Sequence, residues 1–351
     1  LWIGSNSKGL FFYNTKNKTY KHFCTQSSDS RCISNNKIRD IFNDKAGNIW
    51  IATYLGLNLY KPEWDGFVSF YNNIYDPFSI SNNKVISIFE DNQGLLWVGT
   101  YGGGVNKVIR ESNKFKIYQN RPFVENSIAS NVVLTIEEDA NGNILIGSDK
   151  GLNYLNRRNN TISQIKYQER INKNGIDNVV YAIFEDSRKN IWFGTGEGYF
   201  IRWQPGINSF NYTQLINKDY NHQWHFGIRT IYEDSDGQMW IGTYSGLYKY
   251  NQQTNNYVNY QYNPDEQGSL SSNIVLCIYE DYEGELWIGT DGGGLNKLDV
   301  NKETFQCYVH DNDDTTTISN NVIRSICEDN NRNLWIGTSY GLNKFNRITN
   351  K

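Results

Sequence analysis

A five-residue segment recurs eight times at almost constant spacing, and this periodicity limits the possible folds more than any other property of the chain. LWIGS begins at residue 1, IWIAT at 49, LWVGT at 96, ILIGS at 144, IWFGT at 191, MWIGT at 239, and LWIGT at 286 and 334, in steps that alternate between 48 and 47 residues. A unit of this size makes one supersecondary element that cannot bury its apolar surface alone, so successive copies must stack on one another. The fuller unit is clearest at 271–298, SSNIVLCIYEDYEGELWIGTDGGGLNKL. It reads as four short strands separated by turn residues, with no sustained helical period. Strand A is of the type VISIFED at 85–91, B is LWVGT, C is of the type GLNKL at 294–298, and D is a period-two aromatic stretch such as 115–118 or 257–260.

Period, strand count and a Trp at a fixed point predict an all-β propeller built of four-stranded antiparallel blades. The chain holds seven A and seven D strands but eight B–C hairpins. A seven-bladed ring closes if strands from the two ends complete one blade, leaving one hairpin surplus. Eight blades, two of them incomplete, would leave unpaired edges, which proteins generally avoid; the expectation is therefore seven blades in one domain spanning 1–351. The middle of strand A carries Asp40, Ser87, Thr135, Ala182, Thr230, Cys277 and Ser325, mostly small side chains that let innermost strands approach. Between A and B, the Asp-x-x-Gly step (Asp91 to Gly94, Asp281 to Gly284) suits a tight turn. Asp234-Ser235-Asp236-Gly237 resembles the start of a calcium loop but lacks the remainder, and reads as the same turn.

Lys plus Arg number 34 against 37 Asp plus Glu, for a net charge of -3. With no basic stripe to track a phosphate backbone, nucleic acid is not an expected partner. No apolar run approaches the length of a membrane span. The chain opens without Met, at Leu1 inside a repeat, and reads as an excerpt of a longer protein. Five cysteines leave at least one unpaired. Cys24 and Cys32 flank a polar loop and could bridge, whereas Cys277, Cys307 and Cys327 fall in strands and read as small buried hydrophobes.

The pattern S-N-x-V/I-x-x-I-x-E-D-x-x-G-x-L-W-I-G-T-x-x-G-G-L-N-K, preceded by an Asn/Asp-rich linker, resembles the regulator-propeller repeats of two-component sensor proteins. It stands as DPFSISNNKVISIFEDNQGLLWVGTYGGGVNK at 76–107, NPDEQGSLSSNIVLCIYEDYEGELWIGTDGGGLNK at 263–297 and DDTTTISNNVIRSICEDNNRNLWIGTSYGLNK at 313–344. The resemblance implies a periplasmic or extracellular sensing region of a membrane-anchored signalling protein. Such regions are often paired with a second propeller and a β-sandwich of the same chain, and in the better-known members respond to oligosaccharides; a second copy of the chain is a separate candidate partner. It implies no cofactor, no metal and no catalytic residue.

Departures from the repeat mark where a ligand could sit, because a scaffold needs the repeat and a site needs exceptions. The B–C turns and the D–A linkers share one face, where the turns present Tyr54, Tyr101, Asp149, Glu197, Tyr244, Asp291 and Tyr340. Tyrosines and carboxylates suit a polyhydroxylated ligand; equally, exposed Tyr fills space between blades. The second position of strand A is Arg39, Arg229 and Arg324 in three blades, where the others carry Ile86, Leu134, Leu276 or Tyr181. These arginines could clamp a carboxylate or sulfate or pair with acidic neighbours such as Asp40, and ring closure with seven blades would put Arg324 beside Arg39. The linker TQLINKDYNHQWHFG at 213–227 replaces the usual ending with His222, Trp224 and His225, a stacking platform or a packed surface loop. A metal on His222 and His225, with Glu197 as third ligand, lacks any fixed geometry. A lyase of the streptogramin-inactivating type is the enzyme alternative, needing a His in reach of substrate. A protein-interaction scaffold is the other.

Overall fold

The computed structural model describes residues 1–25, 31–109, 114–122, 124–167, 179–216, 227–329 and 331–347. These divide into two compact units, Leu1–Val180 and Tyr181–Lys351.

Unit 1 contains a three-stranded sheet and three four-stranded sheets. Blade 1 is β1 (Trp2–Gly4), β2 (Leu10–Asn14) and β3 (Thr19–Phe23); blade 2 is β4 (Ile38–Asn43), β5 (Ile49–Thr53), β6 (Gly56–Lys61) and β7 (Gly66–Phe70). Blade 3 is β8 (Val85–Glu90), β9 (Leu96–Thr100), β10 (Gly104–Ile109) and β11 (Lys114–Tyr118); blade 4 is β12 (Val133–Glu138), β13 (Ile144–Ser148), β14 (Gly151–Asn156) and β15 (Thr161–Gln164).

Unit 2, which takes up β16 from its second residue, repeats the plan. Blade 5 is β16 (Val180–Glu185), β17 (Ile191–Thr195), β18 (Tyr199–Gln204) and β19 (Ser209–Gln214); blade 6 is β20 (Ile228–Glu233), β21 (Met239–Thr243), β22 (Gly246–Asn251) and β23 (Asn256–Tyr260). Blade 7 is β24 (Val275–Glu280), β25 (Leu286–Thr290), β26 (Leu295–Asp299) and β27 (Thr304–Tyr308), and blade 8 is β28 (Ile323–Glu328), β29 (Leu334–Thr338) and β30 (Gly341–Phe345).

The propeller class stands, but the blade number is eight, not seven. The first B–C hairpin is not surplus. β3 pairs with β2 from Leu10↔Phe23 to Asn14↔Thr19, and this sheet packs on blade 2. Trp2 meets Tyr60 at 4.6 Å, Lys21 pairs with Asp65 at 2.7 Å, and Tyr60 donates to the same carboxylate at 2.7 Å. Leu10 shares a core with Ile33, Ile38, Ile51 and Phe67 of the next repeat. Stacking on a neighbour, rather than completing four strands, is what buries a blade, so a three-stranded sheet serves at each end.

Within each unit the core lies between successive blades, where the B-strand Trp of one meets the A and B strands of the next. Trp240 and Leu247 pack with Val275, Ile278, Leu286 and Ile288; Trp287 and Leu295 pack with Ile323, Ile326, Leu334 and Ile336. In blade 7 this approach leaves no room for a side chain on the B-strand Gly. A Cβ on Gly289 would stand 2.5 Å from the Cys277 sulfur and 2.7 Å from Ile323 of the next blade.

Hydrogen bonds account for the polar letters of the repeat. The Asp of Glu-Asp closes the A–B turn: Asp91 Oδ1 accepts from the N–H of Gln93 and Leu95, and its Oδ2 accepts from Trp97 Nε1 at 2.7 Å. Asp234 does the same for Asp236, Gln238 and Trp240, so this segment is the turn and not a calcium loop. Burial pushes the Asp329 carboxyl up, but bonds from Trp335 and Asn333 outweigh it and hold its pKa at about 2. The preceding Glu latches blade to blade. Glu90 accepts from Lys45 N–H, Glu138 from Asn92, Glu233 from Ser187, Glu280 from Ser235 and Glu328 from Tyr282, at 2.6 to 3.0 Å, in each case on the A–B turn of the previous blade.

The Asn of strand C fastens the incoming linker: Asn106 Oδ1 accepts from Ser81 N–H at 2.9 Å, and its Nδ2 donates to Ser81 Oγ. Asn58, Asn153, Asn296 and Asn343 accept equivalent bonds from Ser34, Ala129, Ser271 and Ser319. Blade 6 has Tyr248 at this position, and the Tyr hydroxyl reaches Leu215 O at 2.9 Å instead. The linker before β20 and the strand that holds it thus depart from the pattern together.

All five cysteines are free thiols, Cys24 and Cys32 included. Burial pushes the Cys277 thiol up to about 12. Cys307 and Cys327 are exposed rather than buried, because they occupy outward-facing positions of their strands.

Candidate functional site

The linker and turn face is organised by one recurring irregularity. In strand A the register with strand B shifts by one residue between Ile38 and Asp40, Val85 and Ser87, Val133 and Thr135, Ile228 and Thr230, Val275 and Cys277, and Ile323 and Ser325. The residue skipped by each shift is the position where Arg39, Arg229 and Arg324 replace Ile86, Leu134 and Leu276. A bulge leaves its extra residue unpaired and re-aims the side chain. Accordingly Arg39, Arg229 and Arg324 are exposed, whereas Ile86, Leu134 and Leu276 are half-buried.

In five blades the B–C turn is tied to the residue preceding strand A. Tyr54 N–H donates to Lys37 O, Tyr101 to Lys84 O, Asp149 to Val132 O, Asp291 to Ile274 O and Ser339 to Val322 O. This bond sets the turn residue beside the bulge.

In unit 1 the result is a cationic and aromatic cluster spanning blades 2 and 3. Lys37 Nζ lies 4.8 Å from the Tyr54 ring centroid, the Arg39 guanidinium carbon 5.6 Å and Lys84 Nζ 4.7 Å. Lys84 Nζ also lies 3.8 Å from the ring of Tyr101, which is 48% exposed. Cations over ring faces are favourable, by roughly 0.5–1 kcal/mol each at exposed sites. Tyr71 stands beside the same turn, 3.2 Å from where a Cβ on Gly56 would be. Asp40 does not form an ion pair with Arg39 among the described residues. It faces the next blade and accepts from Ile88 N–H at 2.7 Å, and burial raises its pKa to about 6 against the pull of that bond and of Arg39. Asp149, in the blade 4 turn, is half-buried.

In unit 2 Arg229 lies between two rings, 5.5 Å from Tyr181 and 5.8 Å from Tyr244. Arg324 donates from Nε to Ser339 Oγ at 3.1 Å, beside Tyr340, which is 82% exposed. Glu197 and Asp291 are half-buried in their turns. Trp203 is buried and stacks on Phe210 at 6.2 Å, as packing. His222, Trp224 and His225 lie outside the described residues. Of the other histidines, His22 stacks on Phe11 at 4.2 Å with Nε2 2.6 Å from Lys8 O, and His310 has Nδ1 2.7 Å from Ile318 O. The adjacency expected for Arg324 and Arg39 rested on seven blades and is withdrawn with that count.

Sequence reasoning picked out Arg39, Tyr54, Tyr101, Arg229 and Tyr244 but missed Lys37 and Lys84. Their signal was present: the residue before strand A is Lys in these two repeats and Val, Gly or Ile in the rest.

Two component regulator propeller repeats are recognised at residues 32–55, 79–102, 174–197, 227–245, 269–292 and 317–340. The blade 4 stretch escapes, and it is the one in which Leu145 replaces the Trp. A 59-residue stretch, 17% of the chain, is 32% identical to histidine kinase P4 of Formosa agariphila, of which it covers 4%. Among solved structures, the extracellular domain of a hybrid two component system from B. thetaiotaomicron matches 92% of the chain with 24% identity and a TM-score of 0.69, and the chain spans 41% of it. PorZ, a surface component of the type IX secretion system of Porphyromonas gingivalis, matches 93% with 16% identity and a TM-score of 0.64, over 48% of its own length. Virginiamycin B lyase of Staphylococcus aureus matches 86% with 14% identity and a TM-score of 0.59, over 92% of its length. At these identities the structural likenesses concern the fold. No helix among the described residues is long and apolar enough to cross a membrane. Six matches, on segments whose Glu, Asp and Trp letters the hydrogen bonds explain, show that the chain carries repeats of the two component regulator propeller family.

Proposed function

We propose that this chain is the ligand-sensing part of a two-component signalling protein, lies outside the cytoplasm, and binds an oligosaccharide on its linker and turn face. The observation that carries this reading is the Lys37, Arg39, Tyr54, Lys84 and Tyr101 cluster. It is placed by a strand A bulge and a turn bond that recur in other repeats, yet Lys37 and Lys84 stand where the other repeats have Val, Gly or Ile. A fold maintained only for packing would not need cations there. The histidines at positions 22 and 310 hold backbone carbonyls, which gives no support to general acid/base chemistry. The family is one of signalling propellers.

The test is a thermal-shift screen of the purified chain against neutral and acidic oligosaccharides, followed by calorimetry on any hit. A ligand that binds only the folded state raises the midpoint, by about 2.7 kcal/mol of stability at a hundred times its Kd. Loss of the shift in Tyr101→Ala, with unchanged unfolding in its absence, is expected. No shift with any glycan, together with a concentration-dependent dimer by light scattering, would move the role to an interaction scaffold.

A further inference from the structure

We propose that the ligand of unit 1 is an acidic oligosaccharide, carrying carboxylate or sulfate groups, and that Lys37, Arg39 and Lys84 bind those groups while Tyr54 holds the three cations in place. This deepens the sensing reading and rests on it.

Three cationic heads converge on the one ring, within 5.6 Å of its centroid, and none forms an ion pair with a carboxylate among the described residues. The carboxylate adjoining Arg39 is that of Asp40, which is committed to Ile88 N–H. A chain with more acidic than basic side chains therefore concentrates positive charge outside any ion pair on two adjacent blades. Like charges this close repel, and the ring's negative face offsets only part of that. An anion entering the cluster relieves the repulsion and gains charge-assisted hydrogen bonds, bidentate for Arg39.

Ring chemistry points the same way. A neutral sugar needs an unobstructed aromatic face to stack on, but Tyr54 is crowded by three cations and Tyr101 carries Lys84 at 3.8 Å. The cluster thus presents donors rather than bare rings. Its spread over two blades, from Lys37 to Tyr101, suits a ligand with more than one anionic group. The exposed ring of Tyr71, beside the Tyr54 turn, offers apolar surface for a sugar ring.

The experiment is calorimetric titration of the whole chain with four probes: a tetrasaccharide of uronic acids, a sulfated oligosaccharide of equal length, a neutral oligosaccharide of equal length, and sodium sulfate. Binding of at least one acidic oligosaccharide is expected, much tighter than sulfate alone and weakening as salt shortens the Debye length from about 14 Å at 0.05 M to about 4 Å at 0.5 M. Arg39→Ala with Lys84→Ala should weaken it about a hundredfold, about tenfold for each lost charged contact. Lys302→Ala, on an exposed turn of unit 2, should change nothing. Because Arg39 and Lys84 are surface positions, unchanged circular dichroism will confirm that the double variant is folded. Tight binding of the neutral oligosaccharide alone, indifferent to the double substitution, overturns this proposal and leaves the sensing function standing. Sulfate binding as tightly as the acidic glycans reduces the cluster to a simple anion site and also overturns it. Binding by none of the four overturns both.

Discussion

Blade 4 offers a quantitative test of how the repeat is held together. In the other repeats with an A–B turn, the turn Asp accepts a bond from the indole N–H six residues on, at 2.7 to 2.9 Å. Blade 4 has Leu145 at the Trp position. Its cross-strand partner is Tyr154, where most other repeats have Lys or Arg facing the Trp. The Tyr154 hydroxyl supplies the missing donor, 2.9 Å from Asp139 Oδ2, and accepts from Asn143 Nδ2 at 2.6 Å. Asp139 is 2% exposed, so water cannot replace a lost donor. Tyr154→Phe removes a hydrogen bond to a charged group, worth about 1.5–3 kcal/mol. Asn143 Nδ2 still reaches both carboxylate oxygens, which sets the expected loss near the lower end, about 1.5–2 kcal/mol. For a unit of this size that lowers the midpoint by about 3–8 °C.

The decisive measurement is a double-mutant cycle in urea, followed by far-ultraviolet circular dichroism. Leu145→Trp alone overpacks a filled site, at about 1–3 kcal/mol, and Tyr154→Lys alone loses the donor. The double variant restores the pair found in most other blades and should fall within about 1 kcal/mol of the parent chain, a coupling of at least about 1.5 kcal/mol. Additive losses, or a Tyr154→Phe variant as stable as the parent, would refute the reasoning that one donor to the turn Asp is obligatory.

Asp40 should make stability depend on pH. Its folded pKa, raised by burial from 3.8 to about 6, means that the folded chain holds a proton the unfolded chain has released. The contribution is full below about pH 4 and lost as pH rises through 6, about 3 kcal/mol in all at 1.36 kcal/mol per unit; Asp40→Asn should match the parent at pH 4 and exceed its stability at pH 7.5, by melts across that range. Glu280→Ala removes the bonds to Ser235 N–H at 2.8 Å and to its hydroxyl at 2.5 Å and should cost about 1–2 kcal/mol, against no change for Glu266→Ala. Gly289→Val forces a side chain against Cys277 and Ile323 and should abolish soluble expression or cost more than about 3 kcal/mol. Half-buried Cys277, its thiol pKa pushed up by burial, should react with a thiol reagent more slowly in the folded chain than exposed Cys307 and Cys327; equal rates would contradict its shielding.

Much of the architecture was legible because the repeat is a repeated physical necessity. Most blades use a turn Asp, a latch Glu, a Trp to fill the gap to the neighbour and a Gly where strands meet, so these letters recur. Blade number was misjudged because pairing at the chain ends was inferred from strand counts. The counts assumed that an incomplete sheet is unstable, whereas burial against the next blade stabilises it. The candidate cluster was half legible. Arg39, Tyr54 and Tyr101 stood out as departures from the repeat, but Lys37 and Lys84 sit at positions that looked like ordinary linker ends.

What the sequence determined by itself is the local set: strand lengths, turn types and the order A to D, all fixed by contacts within about fifty residues. Only the tertiary structure decided that the first hairpin builds a blade of its own, that strand A bulges at the position of the arginines, and that Lys84 bridges Tyr54 and Tyr101. Each of these depends on which strands and side chains from different repeats meet, and a period in the sequence does not specify that.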